Sequence, residues 1–321
     1  MTLHKLKQMS FRNEKYLEKP IIIIGCGRSG TTIISEIIFQ HEDLAWHSNY
    51  QEIFFFTPLI NLLRPFFNNK LWRFKKFYKY VGVSKNTRQK NQSKFNLILF
   101  NPVEHYNFWE HITGKRIDFS RGFLLNEKAT EQEIKRIRSF LAKQVKYQGK
   151  KRLIMKFTGP ARLEYLTSIF PDALIVNIIR EPVATVRSWL EVGFWQRMGI
   201  NKLWWRGAYT PEEIAYAETI KDKPALITAL QYKKLMQTTN EEISKLNLTV
   251  YRCRYEDFVK DAKTFIYRMM EFMQLPPSEK VNSYLENMIV DNRNQRESLS
   301  AKSAIPEEVQ QQILAITGAY N

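Results

Sequence analysis

Eight consecutive residues combine glycines with side chains that bind anions. Residues 25–32 read Gly-Cys-Gly-Arg-Ser-Gly-Thr-Thr and follow a run of four isoleucines. Glycines let the backbone approach a ligand closely, an arginine pairs with phosphate oxygens through two nitrogens, and the amides at a helix N-terminus attract negative charge. The spacing therefore predicts a site for a phosphate-like anion, with the candidate ligands Gly27, Arg28, Ser29, Gly30, Thr31 and Thr32.

This loop differs at one informative position from the loop that binds nucleoside triphosphates. That loop reads G-x-x-x-x-G-K-[ST], and here Gly25 and Gly30 have its spacing while Thr31 stands where the lysine belongs. Because this lysine contacts the β- and γ-phosphates, its absence argues against hydrolysis of ATP or GTP and favours a shorter phosphate chain. The alternative is a strand, turn and helix with a purely structural role, which the convergence of polar and small residues on one point disfavours.

A second set of candidate anion ligands follows the apolar residues 173–179. Arg180 closes this run, and Ser188 lies further along the helix that Pro182 is suited to begin. In a parallel α/β sheet, ligands bind outside the carboxyl ends of the strands, so we expect Arg180 and the glycine-rich loop at one edge. Two anion sites there predict a ligand with two separated phosphates. The alternative is that Arg180 pairs with a neighbouring carboxylate at the surface, such as Glu181 or Asp172.

A parallel sheet is predicted to position these residues. Short apolar runs rich in β-branched residues are typical of strands buried on both faces, and they occur at residues 21–24, 152–157, 173–179 and 248–253. Apolar residues at helical spacing predict helices that begin near Thr31 and that cover residues 130–147, 160–170, 211–246 with a break near Pro224, 254–273 and 306–316. Residues 41–51 are predicted as a loop, and the tail from residue 276 to 305 is polar without a clear pattern. The predicted fold class is α/β, with a P-loop NTPase-like parallel sheet flanked by helices.

Positive charge is concentrated in one segment. The 321 residues carry a net charge of +17, and residues 53–103 contain ten Lys or Arg, many aromatics and no Asp or Glu. Three interpretations stay open: a solvated basic face over core aromatics, a lobe that grips an acidic acceptor, and a helix on an anionic membrane surface. We expect residues 53–147 to form a mostly helical acceptor lobe inserted into a single domain, residues 20–321, which follows an extension of residues 1–19.

The same sequence bounds the cellular context. Residues 1–20 carry five Lys or Arg and no apolar stretch, which does not suit a signal peptide. No apolar run reaches the ~18 residues of a transmembrane helix. The two cysteines, Cys26 and Cys253, suit packing roles in a reducing compartment. We therefore expect a cytoplasmic protein, with peripheral contact to a membrane as one option.

Three segments resemble the sulfotransferases that use 3′-phosphoadenosine-5′-phosphosulfate (PAPS), particularly the bacterial and tyrosylprotein branch. GCGRSGTT is similar to their 5′-phosphosulfate loop, FPDALIVNIIREPVATVRSWL to their 3′-phosphate segment with Arg180 and Ser188 at the family's spacing, and RYEDF to their strand-to-helix turn. The resemblance covers about residues 20–40, 150–190 and 250–275. It implies PAPS as donor, adenosine 3′,5′-bisphosphate (PAP) as product, no metal, and transfer of a sulfuryl group to a hydroxyl or amine.

The resemblance also implies roles for single residues. Arg28, with Thr31 and Thr32, would stabilise the leaving phosphate. Lys156, near the carboxyl end of its predicted strand, would contact the bridging oxygen, and the alternative is a lysine that extends past the sheet edge into solvent. Tyr255 would contact the adenine or the 3′-phosphate region. Arg293 and Arg296 are weak candidates for the family's C-terminal cofactor loop, whose glycines are missing here.

The general base has several candidates. Glu52 ranks first, because the tyrosylprotein branch has a Glu some twenty residues past the loop arginine and Glu52 lies 24 residues past Arg28. His105 and His111 rank next, since the cytosolic branch uses a histidine. Further alternatives are His47, Glu127 and Lys128.

The expected activity is therefore sulfuryl transfer from PAPS to a glycan, a glycolipid or a peptide. A rival enzyme is a small-molecule kinase of the P-loop class, which Thr31 disfavours. A rival of another class is a non-enzymatic protein that binds nucleic acid or a membrane surface through residues 53–103. Under the main hypothesis, no nucleic-acid partner is expected.

Overall fold

Five parallel strands form the centre of the molecule in the computed structural model, which describes residues 15–64, 102–288 and 305–318. The strands are β1 (Ile21–Gly25), β2 (Leu44–Ala45), β3 (Arg152–Thr158), β4 (Leu174–Ile179) and β5 (Val250–Arg254). Their order across the sheet is β2-β3-β1-β4-β5. Gly25 at the carboxyl end of β1 lies opposite Thr158 on one side and Ile178 on the other. The central strand therefore delivers the glycine-rich loop to the middle of the carboxyl edge.

Helices cover both faces of the sheet. Those described between β1 and β3 are α1 (Thr31–Ile38), α2 (Asn49–Ile53), α3 (Tyr106–Ile112) and α4 (Glu131–Tyr147), and α5 (Leu163–Ile169) follows β3. Between β4 and β5 lie α6 (Pro182–Leu190), α7 (Gly193–Met198), α8 (Pro211–Thr219) and α9 (Pro224–Lys245). After β5 come α10 (Tyr255–Lys260), α11 (Ala262–Phe272), α12 (Glu279–Glu286) and α13 (Glu307–Thr317). Two 3₁₀ helices, Lys15–Leu17 and Pro58–Leu63, complete the described elements.

The isoleucines of β1 divide the core into two halves. Ile22 and Ile24 pack into the cluster that contains α4 and α5, whereas Ile21 and Ile23 pack into the cluster that contains α1 and α11. Successive side chains of a strand point to opposite faces, so a strand that is covered on both faces needs an unbroken apolar run. This requirement explains why β1 consists of consecutive isoleucines before its terminal glycine.

The predicted fold class is confirmed, and the four predicted strands differ from the observed ones by at most two residues at each end. The prediction of a loop over residues 41–51 was wrong, because this segment holds β2 and the start of α2. Only two residues of β2 pair with β3, and so short a strand leaves no periodic signal in the sequence.

Two predictions for the C-terminal half also need correction. The helix predicted over residues 254–273 is interrupted at Asp261, whose φ of −150° and ψ of 87° are not helical. The Asp261 side chain instead accepts a hydrogen bond from the Thr264 amide and caps α11. The tail beyond residue 276 contains α12, which Ser278 caps by accepting a hydrogen bond from the Val281 amide.

The predicted acceptor lobe, residues 53–147, includes a helix of the main core. Ile137, Leu141 and Val145 of α4 are fully buried and belong to the same cluster as Ile22 and Ile24 of β1. Residues 65–101 lie outside the described part of the chain, so the boundaries of the lobe stay predictions. Residues 1–14 also lie outside it, so the boundary of the N-terminal extension stays a prediction as well.

Candidate active site

The loop between β1 and α1 contains glycines at which any side chain would collide with neighbouring atoms unless the backbone or those neighbours moved. A Cβ atom on Gly25 would lie 2.6 Å from the carbonyl oxygen of Ile178. Gly30 has a φ of +88° and caps α1, and a Cβ atom there would overlap the ring of Tyr255. Arg28 also adopts a positive φ of 72°. Positive φ values favour glycine and cost other residues energy, so the surrounding packing must hold this loop in place.

The loop and the segment after β4 meet through their arginines. The Arg28 Nε atom donates a hydrogen bond to the Ser188 hydroxyl over 3.0 Å. Arg180 donates from Nη1 to the carbonyl oxygen of Arg28 over 2.8 Å, and its guanidinium lies 4.7 Å from the centre of the Tyr255 ring. Arg28 is exposed, whereas Arg180 and Tyr255 are buried. Two guanidinium groups, a hydroxyl and a helix N-terminus thus lie together at the carboxyl edge of β1 and β4.

Carboxylates that could have neutralised Arg180 have other roles. Glu181 accepts hydrogen bonds from the amides of Val183 and Ala184, so it caps α6. Asp172 accepts a hydrogen bond from the Lys19 amide over 2.6 Å. Arg180 itself is buried, so it is not a surface residue, and its role as an anion ligand stays a prediction.

The hydroxyl residues of the loop differ in accessibility. Ser29 is fully buried and donates from its hydroxyl to the Cys26 carbonyl oxygen over 2.7 Å, which closes the turn of the loop. Thr31 is buried, and Thr32 is exposed on the first turn of α1. The Thr32 side chain is therefore accessible from outside the loop, whereas the buried Ser29 side chain stabilises the loop backbone.

A group of tryptophans lies behind this loop. A Cβ atom on Gly27 would lie 2.8 Å from the indole nitrogen of Trp189, and one on Gly159 would lie 2.9 Å from that of Trp205. Trp195 stacks on Trp189 with ring centres 4.7 Å apart. Trp189 lies in α6 and Trp195 in α7, whereas Trp205 lies between α7 and α8. The tryptophan rings thus pack directly against Gly27 of the loop and against Gly159 after β3, and leave no room for a side chain at either position.

The carboxyl end of β3 carries a buried ion pair. The Lys156 ammonium lies 3.5 Å from a carboxylate oxygen of Glu104, and their side chains are only 7% and 12% exposed. The Thr158 hydroxyl donates to the same Glu104 oxygen, and the Tyr106 hydroxyl donates to the Thr158 carbonyl oxygen over 3.2 Å. Sequence reasoning missed Glu104, because it lies in an irregular segment with no motif. Lys156 does not extend into solvent.

Glu52 lies close enough to Glu104 to be affected by its charge, and the pKa of Glu52 is raised. One of its carboxylate oxygens accepts a hydrogen bond from the Asn107 amide over 3.1 Å. Burial, together with the negative charges of Glu110 and Glu104, raises the pKa of Glu52 to about 7, although the hydrogen bond from the Asn107 amide acts to lower it. A carboxylate with a pKa near neutrality suits proton transfer to and from a reacting group at physiological pH.

The histidine candidates lie in different surroundings. His105 is buried, and its ring nitrogens contact the His47 Nδ1 atom at 3.1 Å and the Gln51 carbonyl oxygen at 3.2 Å. Burial holds the pKa of His105 well below its usual value and lowers that of His47 to about 3. His111 is exposed, with its ring 5.1 Å from that of Phe55. The structure thus packs His105 into a buried polar network.

The remaining candidates do not join the site. Glu127 forms an ion pair with Arg116 over 3.1 Å, and Lys128 lies 3.9 Å from a carboxylate oxygen of Glu164. Arg293 and Arg296 lie outside the described residues. Within the described ranges, no group of three or more His, Cys, Asp or Glu side chains could hold a metal ion. No helix of the described chain is long and apolar enough to span a bilayer.

A parallel sheet with a glycine-rich loop after its central strand, in contact with an arginine after the neighbouring strand, is typical of α/β proteins that bind ligands at the carboxyl ends of their strands. The sulfotransferase family model matches residues 20–279, so the chain belongs to the sulfotransferase family. The predicted class of enzyme, a sulfotransferase that uses PAPS, is thereby confirmed. No curated protein matches the sequence.

Solved structures are similar to this chain in fold. Sulfotransferase STF9 from Mycobacterium avium is 14% identical with a TM-score of 0.54, over 97% of this chain and 79% of that one. Sulfotransferase STF1 from Mycobacterium tuberculosis is 15% identical with a TM-score of 0.49, over 97% and 80%. Mouse sulfotransferase SULT7A1, solved as a complex with PAP, is 11% identical with a TM-score of 0.42, over 94% and 87%. At these identities the similarity to the first of them supports the fold alone.

Proposed function

We propose that this sulfotransferase binds PAPS at the carboxyl edge of β1 and β4 and transfers its sulfuryl group to a hydroxyl or amine. The observation that carries the proposal is the contact between the two anion-binding elements, in which Arg28 reaches Ser188 and Arg180 reaches the Arg28 carbonyl. A donor with phosphates at its 5′ and 3′ positions matches this pair of sites. The loop residues from Gly27 to Thr32 hold the 5′ end, and Arg180, Ser188 and Tyr255 hold the 3′ end.

In this proposal the catalytic groups come from the end of β3, from α2 and from the loop after β1. The acceptor oxygen or nitrogen attacks sulfur, the bond between sulfur and the bridging oxygen breaks, and PAP leaves. Lys156 and Arg28 stabilise the charge that develops on the departing phosphate. Glu52 takes the proton from the acceptor, a role that its raised pKa of about 7 supports. His105 and His111 are the remaining candidates for that proton, and the burial of His105 makes it the weaker of the two.

An amphipathic acceptor, such as a glycolipid, is favoured by the surface beside Glu52. Large apolar side chains of this stretch are exposed, by 41–58%: Ile53, Phe54, Phe56, Leu59, Leu62 and Leu63. The basic segment that follows in the sequence, up to residue 103, contains no acidic residue. Exposed apolar groups next to positive charge suit the interface of an anionic membrane, so we extend the proposal to a cytoplasmic enzyme in peripheral contact with one. A glycan or a peptide acceptor would use the same basic residues without the apolar contacts.

Ligand-dependent melting tests the donor assignment. A ligand that binds only the folded state at about 100 times its Kd stabilises it by roughly 2.7 kcal/mol. We expect PAP without magnesium to raise the melting temperature strongly and ATP with magnesium to have little effect. The reverse pattern would indicate a kinase, and stabilisation by nucleic acid or anionic vesicles alone would indicate a binding protein.

Substitution of Arg180 tests the second anion site separately. Because Arg180 supplies a charge-assisted contact, Arg180→Ala should weaken PAP binding by about 30-fold or more. The matched control is Arg136→Ala, an exposed arginine of α4, which should leave the PAP affinity unchanged. Equal PAP affinities for the two variants would remove the assignment of Arg180 to the 3′ phosphate.

A further inference from the structure

Glu104 forms an ion pair with Lys156, the proposed leaving-group lysine. Its Oε1 atom lies 3.5 Å from the Lys156 ammonium and accepts a hydrogen bond from the Thr158 hydroxyl. Thr158 lies opposite Gly25 in the sheet, and the next residue, Gly159, donates from its amide to the Gly25 carbonyl oxygen over 3.2 Å. The Glu104 carboxylate therefore lies one strand away from the start of the anion loop.

Protein stability gives little reason for such a pair. Both side chains are mostly buried, and a buried ion pair loses so much hydration that apolar residues of similar volume are often equally stabilising. A lysine that binds an anionic donor gives a different reason for the pair. Without the donor, its buried ammonium must have a counterion, and that counterion must be one that the donor can replace.

We propose that Glu104 is a positioning residue that acts as the resting counterion of Lys156 and is exchanged for the donor. With the site empty, Glu104 holds the ammonium at the carboxyl end of β3. When the phosphosulfate enters, Lys156 turns from Glu104 to the bridging oxygen, and Glu104 keeps its hydrogen bond from Thr158. No bond is made or broken in this exchange, which rests on the proposed role of Lys156 in donor binding.

This role differs from that of a general base. The Glu104 oxygen that faces the site already accepts from Thr158 and faces Lys156, whereas Glu52 has a raised pKa and one main-chain partner. The surrounding charged and titratable groups are Lys156 on β3, Tyr106 on α3, Glu52 on α2 and Arg162 before α5. Glu104 thus opposes the donor both by occupying Lys156 and by its own negative charge.

Titration calorimetry with PAP measures the exchange. Glu104→Gln keeps an acceptor for Thr158 but removes the charge, so PAP should bind about five- to tenfold more tightly. The kcat should stay within about tenfold of wild type, because a positioning residue acts before the chemical step. The matched control is Glu131→Gln at the exposed start of α4, which makes the same change in net charge and should leave the PAP affinity unchanged.

Combination with Lys156→Met isolates the contribution of the ion pair. The charge repulsion between Glu104 and the donor is the same with and without Lys156, but the competition for the ammonium requires Lys156. The gain in PAP affinity from Glu104→Gln should therefore be at least about threefold smaller in the Lys156→Met background. Equal gains in the two backgrounds would show that Glu104 does not act through Lys156.

The remaining outcomes separate the two proposals. If wild type binds PAP and Glu104→Gln binds it no more tightly, the exchange is wrong while the donor site stands. A kcat loss of more than about 100-fold in that variant would make Glu104 a base and also overturn the exchange. If wild type binds no PAP, the proposed function itself fails. Should Glu104→Gln not fold, Glu104→Asp, which keeps the charge but shortens the reach to Lys156, should bind PAP more tightly than wild type, and an unchanged affinity would count against the exchange.

Discussion

The proposed donor side and the proposed acceptor side of the site are built in different ways. The donor side consists of short continuous segments at the ends of neighbouring strands, in which backbone shape and two arginines do most of the work. The acceptor side brings together α2, α3 and the end of β3, and its groups come from residues 52, 104 and 156, far apart in the sequence. A continuous segment is visible as a motif, whereas a site assembled by packing is visible only in the folded chain.

Charge differs between the two sides as well. Arg28 and Arg180 give the donor side a positive character, which suits a ligand with several phosphates. The other side brings together three carboxylates, Glu52, Glu104 and Glu110, and the pKa of Glu52 is raised by its burial and, to a lesser extent, by the charges of the other two. An electropositive half to bind the leaving group and an acidic half to take a proton are what sulfuryl transfer to a neutral acceptor requires.

The largest expected effect is on the acidic side, in Glu52→Gln. General bases typically contribute about 10²- to 10⁴-fold to a rate, so the kcat should fall by that factor. In wild type, kcat/KM should rise as the pH increases through about 7, because Glu52 must lose its proton to act as the proposed base. A pH-rate series on both proteins measures this, and a wild-type rise that persists in Glu52→Gln would assign it to another group.

Although Glu52→Gln should lower the kcat, it should not lower the free energy of unfolding at neutral or higher pH. The folded-state pKa of Glu52 is raised from 4.5 to about 7. The stability that this shift contributes is therefore fully present below about pH 4.5 and is lost as the pH rises through about 7. Above that pH, Glu52→Gln should be at least as stable as wild type in urea unfolding, which separates its loss of activity from a loss of folding.

A smaller effect is expected on the donor side, in Gly30→Ala. Its methyl group would meet the Tyr255 ring at a φ of +88°, so the loop must move and PAP should bind about tenfold more weakly or worse. Gly149→Ala is the control, because that glycine also has a positive φ, +65°, but has no atom within 4 Å of the new methyl group. It should cost about 1 kcal/mol of unfolding free energy and leave the PAP affinity unchanged. If Gly30→Ala bound PAP as tightly as Gly149→Ala, the close approach of Gly30 to Tyr255 would not be needed for the donor site.

The smallest effects concern the two histidines. His105→Asn removes contacts to His47 and Gln51 and should lower the free energy of unfolding by about 1–3 kcal/mol. Exposed His111→Ala should stay within about 0.5 kcal/mol of wild type. A large loss of kcat in either variant without a loss of stability would transfer the role of base from Glu52 to that histidine.

The buried histidines also predict a pH dependence of stability. Burial holds the pKa of His47 at about 3 in the folded protein, below the ordinary 6.5, and lowers that of His105 as well. Below their ordinary pKa of 6.5 the unfolded chain binds protons on these histidines that the folded chain does not, so their contribution to stability is lost as the pH falls from about 6.5, whereas the contribution of Glu52 is gained. Urea unfolding between pH 7 and 5 should therefore show that His105→Asn loses less stability, or gains more, than wild type as the pH falls, and identical slopes would contradict the burial of neutral His105.

How much could be predicted depends on whether a feature is local. The runs of isoleucine and valine predicted the main strands, because burial on both faces requires apolar residues in sequence. Edge strand β2 and helix α12 were missed, because both are short and are stabilised by neighbours rather than by their own periodicity. Glu104 was missed for the same reason, since only its contact with Lys156 distinguishes it from a surface glutamate.

The sequence by itself determined the class of the protein and the position of the glycine-rich loop, because glycines, arginines and hydroxyls at fixed spacing leave few other uses. Tertiary structure alone decided which side chains stand together beyond that loop. It placed Ser29 and His105 inside, stacked Arg180 on Tyr255, and joined Lys156 to Glu104. Spacing along a chain fixes local backbone shape, whereas burial, pairing and acidity depend on neighbours that only the packed sheet and helices bring together.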